Sequence, residues 1–506
     1  MIEVREPATG ALLHTLPAAT EDDVRAAAAA ARDPQPYWAA VPAAGRARYL
    51  RRAAQLILDD LDPLAELLAR EAGIPRTEAV LAELLPSVGG LHALAEDGPR
   101  ALQDRRAGRV GIRRALVVHA PAGVVGIAAA PASPWAEVVL EVGAALLAGN
   151  GVLVAPAAAL AAERAKALLE RAGIPPGLVQ VVHGAAAARA LSNACDAVAA
   201  PEPPSPQGTM LVLAGAPLAR VAGGALWAAF AGAGQSPAAV GRLVALPDRA
   251  HALLDALQAG AQGLRVGDPL DPRTDVGPLR DAASAARTAE LVEDAVARGA
   301  RLACGGPVDV PGLAGAFFAP AILRGVPPDA RVLHEPVPGP VLAVVEAGGE
   351  RDAVALARQA RGAVSVWCGE RAHGERIART LPAPLTWVNE HGFSAPAAPV
   401  RVARHAEVRQ IASRPAELRS ARRLPVDPDF ARASIARSRL LHGREADRAA
   451  ALGAGALPVA RVLLGYAARA LETSRSRSGS TGTSTRLTYS APPWSATERT
   501  GSQDSP

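Results

Sequence analysis

A chain of 506 residues, half of them apolar, is long enough for two or three cores, and no stretch of about 18 lacks polar breaks, so no membrane span is expected. The formal charge is only +5, Lys166 is the single lysine, and no basic run is interleaved with aromatics, which argues against a nucleic-acid surface. Cys195, Cys304 and Cys368 follow neither a disulfide framework nor a metal-ligand spacing, so no metal site is expected.

The opening MIEVREPATG lacks the basic-then-apolar pattern of a secretory leader, which predicts a cytoplasmic protein. Residues 2–15 read as a strand pair around the turn at 7–10, and Thr20-Glu-Asp-Asp23 reads as a capping box opening a helix to about Ala31. Leucines at helical spacing predict helices over 46–60 and 64–71, with Pro63 between them and Gly73 as a stop; 78–95 is a further helix. Residues 105–119 alternate basic and apolar side chains around Gly108 and Gly111, the pattern of an exposed hairpin able to extend a partner's sheet.

The centre of the chain is a βαβ unit. An apolar strand at 123–129 precedes a helix at 136–147, Gly149-Asn150-Gly151 ends that helix, and Val152–Val154 begins a second strand. Such a unit implies a parallel sheet covered on both faces, with ligands expected at the carboxyl ends of its strands. A helix at 161–172 and strands at 178–182, 196–200 and 210–213 continue the pattern. The last two are joined by Pro201–Gly208, which holds four prolines and is too short for a helical crossover, so this sheet is expected to be truncated. A second α/β region begins near Gly224 and runs through strands at 242–246, 301–305, 316–323, 363–368 and 386–389. Beyond Pro396 the pattern weakens; 429–441 and 456–470 could be helices, and the Ser/Thr/Arg/Pro-rich 473–506 reads as disordered.

Eight stretches give the chain a likeness. EPATG (6–10), GVVGI (123–127), ALLAGN (145–150), RAGIPPGLVQVVHG (171–184), GAGQ (232–235), VGDPLDPRTDVGPL (266–279), GPVL (339–342) and WVNEHG (387–392) resemble the aldehyde dehydrogenase superfamily, in family order over about residues 1–392. The resemblance implies an α/β fold with a Rossmann-type cofactor domain, a catalytic-type α/β domain and a bridging hairpin that makes oligomers. The expected divisions are 1–212 for the cofactor-type domain, with the hairpin at 103–119, then 213–395 for the catalytic-type domain. A divergent region at 396–472 and a tail at 473–506 complete the chain.

The same resemblance implies NAD(P)-dependent aldehyde oxidation by a cysteine nucleophile, a glutamate base and an oxyanion-binding asparagine. Those roles fall on Pro237, Val212 and Ala132, and Ser236 beside the nucleophile position has no evident base. The lysine for the adenosine ribose falls on Ala155, the glutamate for the nicotinamide ribose on Pro336, and the aromatic beside Gly339 on Pro338. The glycine/lysine-rich loop of the family is replaced by 395–407. These departures imply a degenerate member with no cofactor expected, or NAD or NADP if activity is retained. It would act as a homo-oligomer, or as a hetero-oligomer with an intact homologue, through the 105–119 hairpin and the 395–472 region. Residual aldehyde oxidation and a small-molecule-binding module without turnover are the alternatives.

Other candidates have plainer readings. The three thiols align with no nucleophile, and His391 is read as structural although it lies on the substrate side. Glu137 and Glu141, one helical turn apart, are expected to be solvated or capping, since nothing else in the sequence converges on them. His334-Glu335 carries little more, and the 456–470 helix is expected to pack on the body.

Overall fold

The computed structural model describes residues 1–110, 113–129, 134–199, 208–236, 238–360, 362–383, 385–392 and 398–413. Ala132, Pro237 and the segments expected at 201–207, 429–441, 456–470 and 473–506 lie outside the described residues. Two compact units separate, residues 1–106 with 116–411, and residues 107–115 with 412–506.

The amino-terminal pair forms as expected, Ile2–Arg5 antiparallel to Leu12–Leu16. The Thr20 hydroxyl accepts from the Asp23 N–H at 3.2 Å while the Asp23 carboxylate accepts from the Thr20 N–H at 2.8 Å, opening the helix Glu21–Arg32. The next two long helices are Ala43–Asp59 and Leu61–Ala72, divided at Asp60 rather than at Pro63. Pro63 sits in a first turn, where a missing N–H costs no helical bond. Gly73 closes that helix at φ +70°.

The expected helix over 78–95 is instead three pieces. Arg76–Glu78 leads into a π-turn at Ala79–Leu84, and Leu85–Ala101 continues as α-helix. A π-turn bonds i to i+5, so Glu78 and Glu83 come to one face; both are buried.

The first sheet has four parallel strands in the order Val179–Val181, Gly151–Ala155, Val124–Ala128, Ala197–Ala199. The helix Ala136–Ala148 crosses between its two central strands and ends at Gly149, φ +96°. One face packs against the helices at 43–59, 85–101, 136–148 and 159–171 through Leu50, Leu91, Leu146 and Leu168. The other packs against Glu21–Arg32 and Ala185–Ala194 through Val24, Ala28 and Leu191. Double coverage explains why its strands are continuously apolar.

The second sheet has seven strands, in the order Arg301–Val308, Phe317–Arg324, Val341–Glu346, Val240–Ala245, Gly208–Val212, Val364–Trp367, Thr386–Val388. All its pairs are parallel except the edge hairpin 301–308/317–324. Gly208–Val212 therefore belongs to the second sheet, bonded to 240–245 and 364–367. This corrects two expectations. The strand at 208–212, expected to close the first domain, pairs in the second sheet among the described residues, and the crossover argument does not apply to it, because a crossover returns to the sheet it left.

A third sheet takes the order Ala406–Ser413, Arg113–Pro121, Arg105–Val110, so the hairpin expected over 105–119 is present as two paired strands. The weak pattern beyond 396 concealed both the strand at 406–413 and a helix at Ala398–Arg404.

Candidate active site

The helix Leu218–Phe230 ends in the turn Ala231–Gly234. Gly232, Ala233 and Gly234 take φ of +62°, +51° and +69°, three successive left-handed residues. Ala233 holds a conformation that disfavours side chains by roughly 1–2 kcal/mol. Gly234 is required by space as well, because a Cβ there would lie 2.5 Å from the Gly339 carbonyl oxygen and 2.7 Å from the Pro340 Cα. The GAGQ and GPVL stretches thus meet backbone to backbone.

Four side chains hold this loop. The Glu78 carboxyl accepts from the Gly232 N–H. The Gln235 side chain donates to the Gly232 carbonyl at 3.1 Å and accepts from the Arg280 N–H at 2.9 Å. The Ser236 hydroxyl accepts from the Ala238 N–H at 3.2 Å. Nε2 of His391 lies 2.9 Å from the Ala238 carbonyl, and its ring packs on Trp387 at 4.5 Å between centroids. Burial pushes His391 down to about 4, against the opposing effect of the Ala238 bond, so the imidazole is neutral at pH 7. The structural reading of His391 fits this placement.

At the base position, Val212 ends its strand fully buried and packs among Met210, Ala225 and Leu243. In the first sheet, Ala155 ends its strand at 5% exposure, packed with Val124 and Leu153, and its carbonyl accepts from the Ala129 N–H. Pro336 is exposed and Pro338 half-buried, flanking Val337 just before Gly339. None of these four side chains offers a titratable or hydrogen-bonding group.

The thiols are no better placed. Burial, with Asp196 beside it, pushes the Cys195 thiol up to about 11. Burial raises Cys304 and Cys368 as well, and at Cys195 it outweighs the lowering effect of Arg32, so none favours a thiolate. His334 bonds the Pro328 carbonyl at 2.6 Å, and Glu335 joins Arg331 and Arg287 in a surface ion network. Among the described residues no cluster could hold a metal ion.

Sequence reasoning missed three glutamates that organise the region, Glu78 and Glu83 buried and Glu71 half-buried. Glu71 accepts from the N–H groups of Leu160 and Ala161, both at 2.8 Å, capping the helix Ala159–Arg171. Glu83 accepts from Trp135 and Ala136 at 3.2 and 2.6 Å, capping Ala136–Ala148. A carboxylate at a helix amino terminus satisfies orphan donors and the positive end of the dipole. Glu78 has no such terminus, and burial, reinforced by Glu83 and offset by the Gly232 bond, pushes its carboxyl up to about 8.

The reading of Glu141 is corrected, whereas Glu137 stays about half exposed in the first turn of its helix. Glu141 is buried and accepts from Arg401, from Arg404 at 2.9 Å and from His405 Nε2 at 2.5 Å. Glu137 takes Arg401 at 3.0 and 3.1 Å. Burial alone would raise the Glu141 carboxyl, but the His405 bond and the two guanidiniums hold it below its ordinary value. These partners lie some 260 residues away, beyond the reach of any local pattern.

The aldehyde dehydrogenase family model matches residues 1–199 and 207–401. The NADP(+) succinate-semialdehyde dehydrogenase of Escherichia coli (strain K12) is 31% identical over 387 residues, 70% of this chain and 79% of the relative. The glutarate-semialdehyde dehydrogenase of Pseudomonas aeruginosa is 30% identical over 386 residues, 70% of this chain and 78% of the relative. A crystal structure of the Mycobacterium tuberculosis aldehyde dehydrogenase complexed with NAD+ superposes with a TM-score of 0.75 at 25% identity, over 81% of this chain and 94% of the other. With the two α/β sheets and the shared motifs, these matches establish that the chain belongs to the aldehyde dehydrogenase family.

Proposed function

We propose that this chain keeps the aldehyde dehydrogenase fold without its chemistry and acts as a non-catalytic subunit. The observation that carries the reading is the residue set at the reaction centre. Proline occupies the position two residues after Gly234-Gln235, and proline has neither a nucleophilic group nor an N–H. Val212 at the base position is sealed in the core, and the three thiols are all raised by burial. Losing a nucleophile removes the mechanism, which no rearranged base restores.

The residues at the cofactor positions do not fit a nicotinamide dinucleotide. Ala155 and Pro336 stand where lysine and glutamate would hold the riboses, and the short proline-rich 201–207 leaves no glycine-rich turn for a pyrophosphate. In this reading the chain binds no NAD(P), lies in the cytoplasm, and assembles with its own copies or with an intact homologue. Among the described residues the outer strands of the three-stranded sheet are those at 105–110 and 406–413, and a partner strand would pair at these edges. No helix among the described residues is long and apolar enough to cross a membrane.

The names of the relatives favour a second reading, NAD(P)-dependent oxidation of a short semialdehyde. The test is to incubate the purified chain with succinate or glutarate semialdehyde and NAD+ or NADP+, following reduced nicotinamide, and to titrate it calorimetrically with both cofactors. The expected result is no reduced nicotinamide and no heat at millimolar cofactor. Micromolar cofactor binding with turnover would replace the first reading by the second.

A further inference from the structure

A cavity of about 290 Å³ opens beside the π-turn, with Glu78 and Leu81 in its lining. Trp227, Phe230 and Leu226 supply its apolar wall, and Thr274 and Asp275 add polar groups. Glu78 lines it while more than nine-tenths buried, and the one hydrogen bond its carboxyl takes among the described residues is from the Gly232 N–H, leaving hydrogen-bonding capacity toward the cavity. No arginine, lysine or histidine is among the lining residues, so the carboxyl has no cationic partner there. Aromatic faces combined with acidic groups and no competing cation favour an organic ammonium over a neutral or anionic molecule. The volume is at the small end of ligand sites and suits a short chain.

We propose that this cavity binds a small alkylammonium ion, its nitrogen at the Glu78 carboxyl and its chain against Trp227 and Phe230. The site does not depend on whether the chain oxidises aldehydes. The carboxyl, protonated at pH 7 in the empty cavity because burial and Glu83 oppose its charge, ionises when the ammonium supplies the missing partner. Asp275, which accepts from the Arg265 N–H at 2.9 Å, adds negative potential to the lining.

The experiment titrates the full chain at pH 7 with n-butylammonium, n-butanol and butyrate, in two buffers of different ionisation enthalpy. Butylammonium is expected to bind at least tenfold more tightly than either control and to release close to one proton, read from the buffer dependence of the heat. Glu78→Gln should lose this binding by at least tenfold together with the proton release. Gly223→Leu gives an independent block, since Gly223 lines the cavity on an exposed helical face and a Cβ there meets nothing within 4 Å. Equal binding of butanol, absence of heat with butylammonium, or unchanged binding by Gly223→Leu would each overturn the assignment.

Discussion

Replacing Glu141 by leucine tests how the carboxyl-terminal helix is held. The side chains of Arg401, Glu141 and His405 are only 2%, 9% and 3% exposed, so their charges have little water to fall back on. Breaking a buried pair by removing one partner costs about 3–5 kcal/mol, because the other charge stays buried. Arg401 keeps its two bonds to the half-exposed Glu137, which offsets part of that loss, so Glu141→Leu should cost about 3 kcal/mol. Arg401→Met leaves Glu141 with Arg404 and His405 and should cost about 2 kcal/mol. The double variant E141L/R401M replaces ion pairing by apolar contact and should be no less stable than Glu141→Leu alone, a coupling of about 2 kcal/mol. Urea unfolding at pH 7 measures all four corners of the cycle. Amide exchange over 398–404 separates loosening of this helix from global loss. Additivity within about 0.5 kcal/mol, or a single variant costing less than about 1 kcal/mol, refutes the cluster as the anchor.

Two further perturbations address the loop between the second-sheet strands. Glu78 has a carboxyl raised from 4.5 to about 8 in the folded chain, so its contribution is fully present below pH 4.5 and is lost as pH rises through 8. A separation of about 3.5 pH units at 1.36 kcal/mol each sets a ceiling on the order of 5 kcal/mol. Glu78→Gln, with nothing to ionise, should flatten this decline between pH 5.5 and 8.5, measured as urea midpoints; parallel pH curves for the two proteins would contradict it. Gly234→Ala places a Cβ against the Gly339 carbonyl at φ +69°, where neither neighbour is a movable side chain, and should cost at least about 3 kcal/mol by the same assay. A cost under about 1 kcal/mol would mean that the two loops are not locked backbone to backbone.

The parts legible in the sequence are those fixed by local chemistry. The capping box at Thr20, the glycine stops at 73 and 149, and the apolar strands of the βαβ unit all depend on residues a few positions apart. The features that escaped depend on distant partners or on a single extra residue. Nothing local marks Glu141 as buried, because its partners stand at 401–405. The π-turn at 79–84 looks like ordinary helix by periodicity, yet it brings Glu78 and Glu83 to one face and creates the raised carboxyl. The strand at 208–212 was legible as a strand but not as a member of the second sheet, since a crossover argument presumes that the chain returns to the sheet it left. The expected site positions rest on the family motifs alone, whereas the bonds of Ser236, His391 and Gln235 became visible only in the structure.

A strained loop usually points to chemistry, and here the two are separable. The left-handed run at 232–234 keeps its costly geometry although the residue two positions after Gln235 is proline. The reason is visible in its neighbours. Glu78 takes the Gly232 N–H, the Arg280 N–H takes Gln235, Gly339 leaves no room beside Gly234, and His391 holds the Ala238 carbonyl. Each tie comes from a different part of the chain, and the one from Glu78 comes from a segment that packs with the helices of the first sheet. Backbone preorganisation at this turn is therefore held by the surrounding fold rather than by the residue at 237. In the proposed reading, the residues at 132, 212 and 237 and those at the cofactor positions 155 and 336, rather than this turn, set the chain apart from a working member of the family.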